Sequence, residues 1–198
     1  MLDDGFTKLN LATANVLIVG DRASEQDILA QMLMGFGVSK ILRKAGETDA
    51  LHALSKEQFD LALIDASIRA GDGYRLISST RRLTQQSLKQ VPIILICGHV
   101  RKAEFCRARD CGAHFLLTKP ISAQVLFDRI LWMTRDKRLF VEGSSYAGPD
   151  RRIRSYGPPV GVEGRRCDDL SEHVGEATDP NLSQDAVDGF FSAKKAAV

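Results

Sequence analysis

Residues 59 to 65 read Phe59-Asp60-Leu61-Ala62-Leu63-Ile64-Asp65, and a loop from Ala66 to Gly73 follows, containing Gly71. Leu61 to Ile64 has no polar face and is too short for a buried helix. It reads as a strand covered on both sides, as in a parallel sheet. The run stops abruptly at a carboxylate, Asp65. In open α/β sheets ligands gather at the carboxyl ends of the strands, so Asp65 stands where chemistry is done. A single Asp before a turn also serves as a cap or turn residue. Its meaning therefore depends on what else reaches the same edge.

On the N-terminal side, Asn15-Val16-Leu17-Ile18-Val19 is a second buried strand, ending in Gly20-Asp21. Ser24 and Asp27 have the spacing of a capping box. They open a helix whose apolar stripe is Ile28, Leu29, Met32, Leu33 and Phe36, closed by Gly35 and Gly37. Val38 to Leu42 is a more polar strand, suited to a sheet edge. Thr48 to Leu54 is a short helix. Beyond the loop, Gly73 to Leu83 reads as a helix with Leu76, Ile77 and Leu83 inward. Pro92 to Cys97 is the most apolar run and so a central strand. Arg101 to Cys111 is a helix ended by Gly112, and Phe115 to Thr118 is the fifth strand, ending in Lys119-Pro120. Val125 to Met133 is the last helix, with Trp132 and Met133 as packing residues. Strand and helix alternate five times, which implies a parallel sheet with right-handed crossovers and helices on both faces.

Asp21, Asp65 and Lys119 then end the first, third and fifth strands and share one sheet edge. Two carboxylates and a loop carbonyl form a hard oxygen site suited to Mg²⁺, which usually keeps several waters. A lysine opposite supplies a point charge for phosphate. An Asp carboxylate can attack a phosphoryl group when a metal neutralises the oxygens, because such transfers need mainly positioning and charge stabilisation. The three residues together make sense as an aspartyl-phosphate acceptor.

In order and spacing, these segments resemble the receiver domain of two-component response regulators, the chemotaxis-type receiver. The resemblance is carried by Val16-Leu17-Ile18-Val19-Gly20-Asp21, by Leu63-Ile64-Asp65 with Asp72-Gly73, by Pro92 to Cys97, and by Gly112-Ala113 to Thr118-Lys119-Pro120-Ile121. It covers about residues 14 to 136. It implies a flavodoxin-like, doubly wound sheet in the order 2-1-3-4-5. It also implies Asp65 as phosphoacceptor, Asp21 and the Ser67 carbonyl as Mg²⁺ ligands, Lys119 as partner of the phosphoryl oxygens, Cys97 at the switch position, and a cis bond before Pro120. The implied partners are a histidine kinase or phosphotransfer protein as donor and a downstream protein target, in a non-enzymatic, cytoplasmic module. Four positions depart from the family pattern. Gly20 stands where a second acidic residue is usual, Cys97 where Thr or Ser is usual, and Arg69 where a loop Pro is usual. Leu116 falls where many members carry a Tyr or Phe that changes rotamer, while the aromatic Phe115 next to it should face the other side of the sheet.

The chain has 198 residues, 44% hydrophobic and 26% charged, with a net charge of +2. So small a charge gives no global field for nucleic acid or membrane. Cys97, Cys106, Cys111 and Cys167 have no zinc-site spacing and read as reduced thiols. His52, His99, His114 and His173 have no ligand spacing either. No stretch approaches a membrane span, and the N-terminus reads as a loose leader, residues 1 to 13, without a signal peptide.

Residues 137 to 198 read as an irregular tail, basic and then acidic, without a core of its own. Arg151, Arg152, Arg154, Arg165 and Arg166 lie near Tyr146 and Tyr156, a composition suited to phosphate forks and base stacking. The tail resembles the arginine-rich extensions with which some single-domain receivers bind cyclic di-GMP. It reads equally as a solvated tail or a docking peptide. It lacks two periodic helices joined by a turn, so no DNA-binding domain is expected. An alternative reading is a phosphorylation-independent adaptor whose tail binds a nucleotide or a protein. A flavin carrier shares the fold but would need a phosphate cradle after the first strand, where Gly20-Asp21 stands.

Overall fold

The computed structural model describes residues 10–68, 71–98, 102–151 and 183–185. The elements run β1 (Asn15–Val19), α1 (Ala23–Gly35), β2 (Lys40–Lys44), α2 (Glu47–Lys56), β3 (Leu61–Asp65), α3 (Gly73–Thr80), α4 (Gln86–Lys89), β4 (Ile93–Cys97), α5 (Lys102–Asp110), β5 (Phe115–Thr118), α6 (Ala123–Thr134), β6 (Phe140–Glu142) and β7 (Ala147–Pro149). The first five strands form one sheet in the order β2-β1-β3-β4-β5, and every pair in it is parallel. This is the doubly wound order that the resemblance implies.

Alternation along the strands sorts their side chains into two cores. Leu17, Val19, Ala62, Ile64, Ile93, Leu95, Cys97 and Leu116 pack with α2, α3 and α5. Val16, Ile18, Leu61, Leu63, Ile94, Ile96, Phe115 and Leu117 pack with α1 and α6. Phe115 and Leu116 thus face opposite sides, and Phe115 meets Trp132 edge to face with ring centroids 4.7 Å apart. β3 and β4 are buried along their whole length. β2, at one edge, is exposed or half-buried throughout, as its lysines and arginine require.

The helices differ in detail from the sequence pattern. α1 begins at Ala23 behind Arg22, with no side-chain cap. Ser24 therefore lies inside the helix, and the Ser24–Asp27 capping box does not form. Ile28, placed on the apolar stripe by spacing, is 53% exposed. Gln26 is buried instead, and its Nε2 donates to the carbonyls of Gly20 (2.7 Å) and Lys44 (2.8 Å). A polar residue was not counted toward the core, yet this one ties the ends of β1 and β2 together. α3 ends at Thr80 rather than Leu83. There Arg81 turns into the interior at 1% exposure, and a separate short helix, α4, follows.

Residues 140 to 149, read from sequence as part of an irregular tail, form the antiparallel hairpin β6–β7. Three-residue strands are too short to show a period, and Gly148-Pro149 reads as a breaker. Packing holds the hairpin. Tyr146 is buried and donates to the Pro149 carbonyl at 2.5 Å. A Cβ on Gly148 would stand 2.7 Å from Gly112 Cα, so two glycines allow the hairpin to touch the turn before β5. Cys97 and Cys111 are buried and form no disulfide. Cys106 departs from the reading of four reduced thiols and is disulfide-bonded, a pairing that no short-range spacing announces. No helix among the described residues is long and apolar enough to cross a membrane.

Candidate functional site

The site lies at the carboxyl ends of β1, β3 and β5. Asp65 closes a strand whose every residue is buried, and its own exposure is 7%. Its Oδ1 accepts the backbone N–H of Ser67 at 2.8 Å. Its Oδ2 accepts Lys119 Nζ at 2.5 Å. Gly73 allows α3 to start this close, since a Cβ there would stand 2.1 Å from the Asp65 carbonyl oxygen. Asp72 caps α3 by accepting the Tyr74 N–H.

Lys119 follows β5 directly, and the Lys119–Pro120 peptide is cis. Its ammonium is shared with a second carboxylate, Glu25 Oε2 at 2.6 Å, on the first turn of α1. Desolvation pulls the Lys119 pKa down. The hydrogen bonds to Asp65 and Glu25 outweigh it and leave the pKa above its ordinary value. Glu25 is held below its ordinary value, chiefly by the same hydrogen bond from Lys119. Glu25 is the residue that reading the strand ends missed, because it projects from a helix turn. Its charge in that turn was the only available signal.

Asp21 is exposed in the bend after β1. A Cβ on Gly20 would stand 3.8 Å from that of Asp65, so this loop runs beside the Asp65 carboxylate. A cavity of about 230 Å³ opens there, walled by Ile18, Leu29, Met32, Ile96 and Ile121 and floored by Asp65 and Lys119. Arg69 lies outside the described residues.

Cys97 packs on the other face of the sheet, in the core of α2, α3 and α5. Its Sγ is 3.5 Å from the hydroxyl of Tyr74. The Arg107 guanidinium of α5 lies 4.5 Å from the Tyr74 ring centroid and pairs with Asp72. Tyr74 thus connects the loop after β3 to α5, in a molecule with Leu116 rather than an aromatic on that face of β5. Helical spacing gave Tyr74 no distinction.

A family model, the response regulator receiver domain, matches residues 16–131. The chain belongs to that family. Its receiver is 25% identical over 115 residues to chemotaxis protein CheY of Pseudomonas aeruginosa, a match covering 58% of this chain and 91% of that protein. It is 31% identical over 111 residues to sensor histidine kinase RcsC of Escherichia coli, covering 56% of this chain but only 11% of the kinase. Among solved structures, a putative response regulator from Chloroflexus aurantiacus superposes with TM-score 0.57 at 25% identity, covering 62% of this chain and 98% of that one. The receiver domain of a Pseudomonas aeruginosa sensor histidine kinase superposes with TM-score 0.54 at 23% identity, covering 61% of this chain and 95% of that one. That domain holds a magnesium ion in its active-site cleft.

Of the five arginines singled out in the tail, Arg152, Arg154, Arg165 and Arg166 lie outside the described residues, as does Tyr156. Arg151 is engaged: its guanidinium lies 4.2 Å from the Tyr146 ring centroid and it pairs with Asp110. Tyr146 is buried beneath it. The Tyr146 ring is therefore not open to stack on a base in this arrangement, while Arg151 stays exposed.

Proposed function

We propose that the receiver accepts a phosphoryl group on Asp65 from a histidine kinase or phosphotransfer protein and passes the signal to a downstream protein. The observation that carries this reading is the Lys119 ammonium on Asp65 Oδ2, at the sheet edge beside an open cavity. A carboxylate oxygen attacks phosphorus, the bond from phosphorus to the donor's imidazole nitrogen breaks, and Asp65 becomes an acyl phosphate. Lys119 follows the charge from the carboxylate to the phosphoryl oxygens. Glu25 keeps the ammonium charged and at hand while the site is empty of phosphate.

The donor set suits Mg²⁺. Asp65, Asp21 and the Ser67 carbonyl are hard oxygens, and Mg²⁺ accepts one or two carboxylates with waters. Gly20 stands where a second acidic residue would hold a coordinated water, so binding should be weak. When bound, the ion would neutralise the phosphoryl oxygens.

Exposure to a small phosphodonor with Mg²⁺ should add one phosphoryl mass to the intact chain, and Asp65→Asn should abolish the adduct. An adduct that persists in Asp65→Asn places the acceptor elsewhere. A second test concerns the metal. The nearest atoms to a Cβ on Gly20 would be Gln26 Cγ at 3.7 Å, Asp65 Cβ at 3.8 Å and Gln26 Nε2 at 3.9 Å, all ordinary contacts. Gly20→Asp should therefore fit and tighten Mg²⁺ about tenfold, roughly 1.4 kcal/mol. Calorimetric titration showing equal or weaker binding would place the metal away from this loop.

A further inference from the structure

β5 is the last strand of the sheet, and nothing in the sheet pairs with its outer side. Its inner side faces β4, where the Lys119 N–H donates to the Cys97 carbonyl at 2.8 Å. By alternation, the backbone groups of Leu116 and Thr118 point outward. Such a row of unpaired N–H and C=O groups is a template for another strand.

Those outward groups are met by a side chain from far along the chain. Gln184 Oε1 accepts the Thr118 N–H at 3.0 Å and the Thr118 hydroxyl at 3.2 Å. Gln184 Nε2 donates to the Leu116 carbonyl at 3.3 Å. A carboxamide carries the same donor and acceptor as a peptide unit. One glutamine side chain thus reproduces one rung of a neighbouring strand. Gln184 is the middle of the three residues described in this segment and is half-buried, while Ser183 and Asp185 on either side of it are exposed.

We propose that the segment Ser183–Asp185 caps the open edge of β5 in cis, and that an extended segment of another chain could pair with this edge only by displacing Gln184. The cap grips Thr118, the residue before Lys119, so it also braces the strand end that carries the site's lysine.

The test uses the full-length chain. In Gln184→Ala, amide hydrogen exchange at Thr118 should accelerate at least tenfold, while Leu117, turned toward β4, stays unchanged. Gln184→Glu keeps the acceptor and loses the donor, so it should fall between. Unchanged exchange at Thr118 in Gln184→Ala overturns the proposal. As an independent measurement, a nitroxide on Asp185→Cys should broaden the Leu116 and Thr118 amide signals. The broadening should persist when labelled protein is diluted into unlabelled protein. Absence of broadening, or its loss on such dilution, equally overturns a cis cap.

Discussion

Two cations sit at opposite ends of the same sheet and are held in opposite ways. Lys119, at the carboxyl end of β5, is 29% exposed at its side chain and shared between two carboxylates. Arg81, at the amino ends of β4 and β5, is fully buried and meets no carboxylate among the described residues. Its guanidinium donates to the carbonyls of Gly112 (2.8 Å), Lys89 (2.6 Å) and Val91 (2.7 Å) and to His114 Nδ1 (3.2 Å). Burial lowers its pKa to about 10, which still leaves it charged at neutral pH. Carbonyl dipoles fix a cation in place, since each partner is itself tied to the backbone. Carboxylates on separate elements let a flexible lysine move between partners. One end of the sheet is built to stay, and the other to change.

The largest test of that contrast is to remove each cation's charge. Arg81→Met leaves buried carbonyls without donors and should cost about 3–4 kcal/mol of unfolding free energy. Lys119→Met breaks one partly exposed pair, with Glu25, and one with the buried Asp65. The Asp65 carboxylate keeps the Ser67 N–H and faces the open cavity, so the change should cost about 1–2 kcal/mol, less than Arg81→Met, while abolishing the response of the site to phosphodonor. Urea denaturation of both variants decides. Equal losses would mean that Lys119 is as structural as Arg81.

The two ends were unequally legible in the sequence. Asp65, Asp21 and Lys119 were visible because buried parallel strands ending in polar residues bring those residues to one edge, while the strand order was implied by the family resemblance and not by the alternation itself. Arg81 was not visible. It lies within the stretch read as a helix from Gly73 to Leu83, four residues after the inward Ile77, but an arginine at such a position ordinarily reads as solvated. Its backbone is still helical at the end of α3, and the buried face of Tyr74 and Ile77 carries it inward. The hairpin β6–β7 was missed for a related reason: its stability comes from Tyr146, Gly112 and Arg138 rather than from its own strands. Arg138 pairs with Asp136, both side chains 7% exposed, and it donates to the His114 carbonyl at 3.1 Å. Long-range contacts of this kind leave no local pattern.

The fixed end carries its own pH dependence. His114 Nδ1 accepts the Ile93 N–H at 3.1 Å and faces Arg81, so the imidazole must be neutral. Burial, then the charges of Arg81 and Arg138, hold its pKa well below the ordinary 6.5. The unfolded chain takes up this proton near pH 6.5 and the folded chain does not. Stability is therefore full above pH 6.5 and falls as pH drops below it. The loss should reach about 1 kcal/mol by pH 5.5. Glu25 and Glu47, whose pKa values are lowered by Lys119 and Arg75 respectively, add losses only below about their ordinary value of 4.5. His114→Gln keeps an acceptor but cannot titrate, so it should flatten the profile between pH 6.5 and 5.5. A slope that survives the substitution would move this pH dependence away from the Arg81 end.

The smallest effect belongs to the changing end. If that end is assembled from contacts that can be exchanged cheaply, the link from the loop after β3 to α5 should be weak in its individual bonds. The Tyr74 hydroxyl meets a thiol, Cys97, at 3.5 Å, and a thiol is a poor hydrogen-bonding group. The Arg107 guanidinium lies on the Tyr74 ring, and that contact does not need the hydroxyl. Tyr74→Phe should therefore cost less than about 0.5 kcal/mol. In Cys97→Thr, a hydroxyl replaces the thiol opposite Tyr74, and the same Tyr74→Phe change should then cost about 1 kcal/mol, the value of an ordinary buried hydrogen bond. A double-mutant cycle by urea denaturation reads the difference. Coupling already near 1 kcal/mol with the native cysteine would show that this corner is held as firmly as the Arg81 end, and the division of the sheet into a fixed and a changing end would fail.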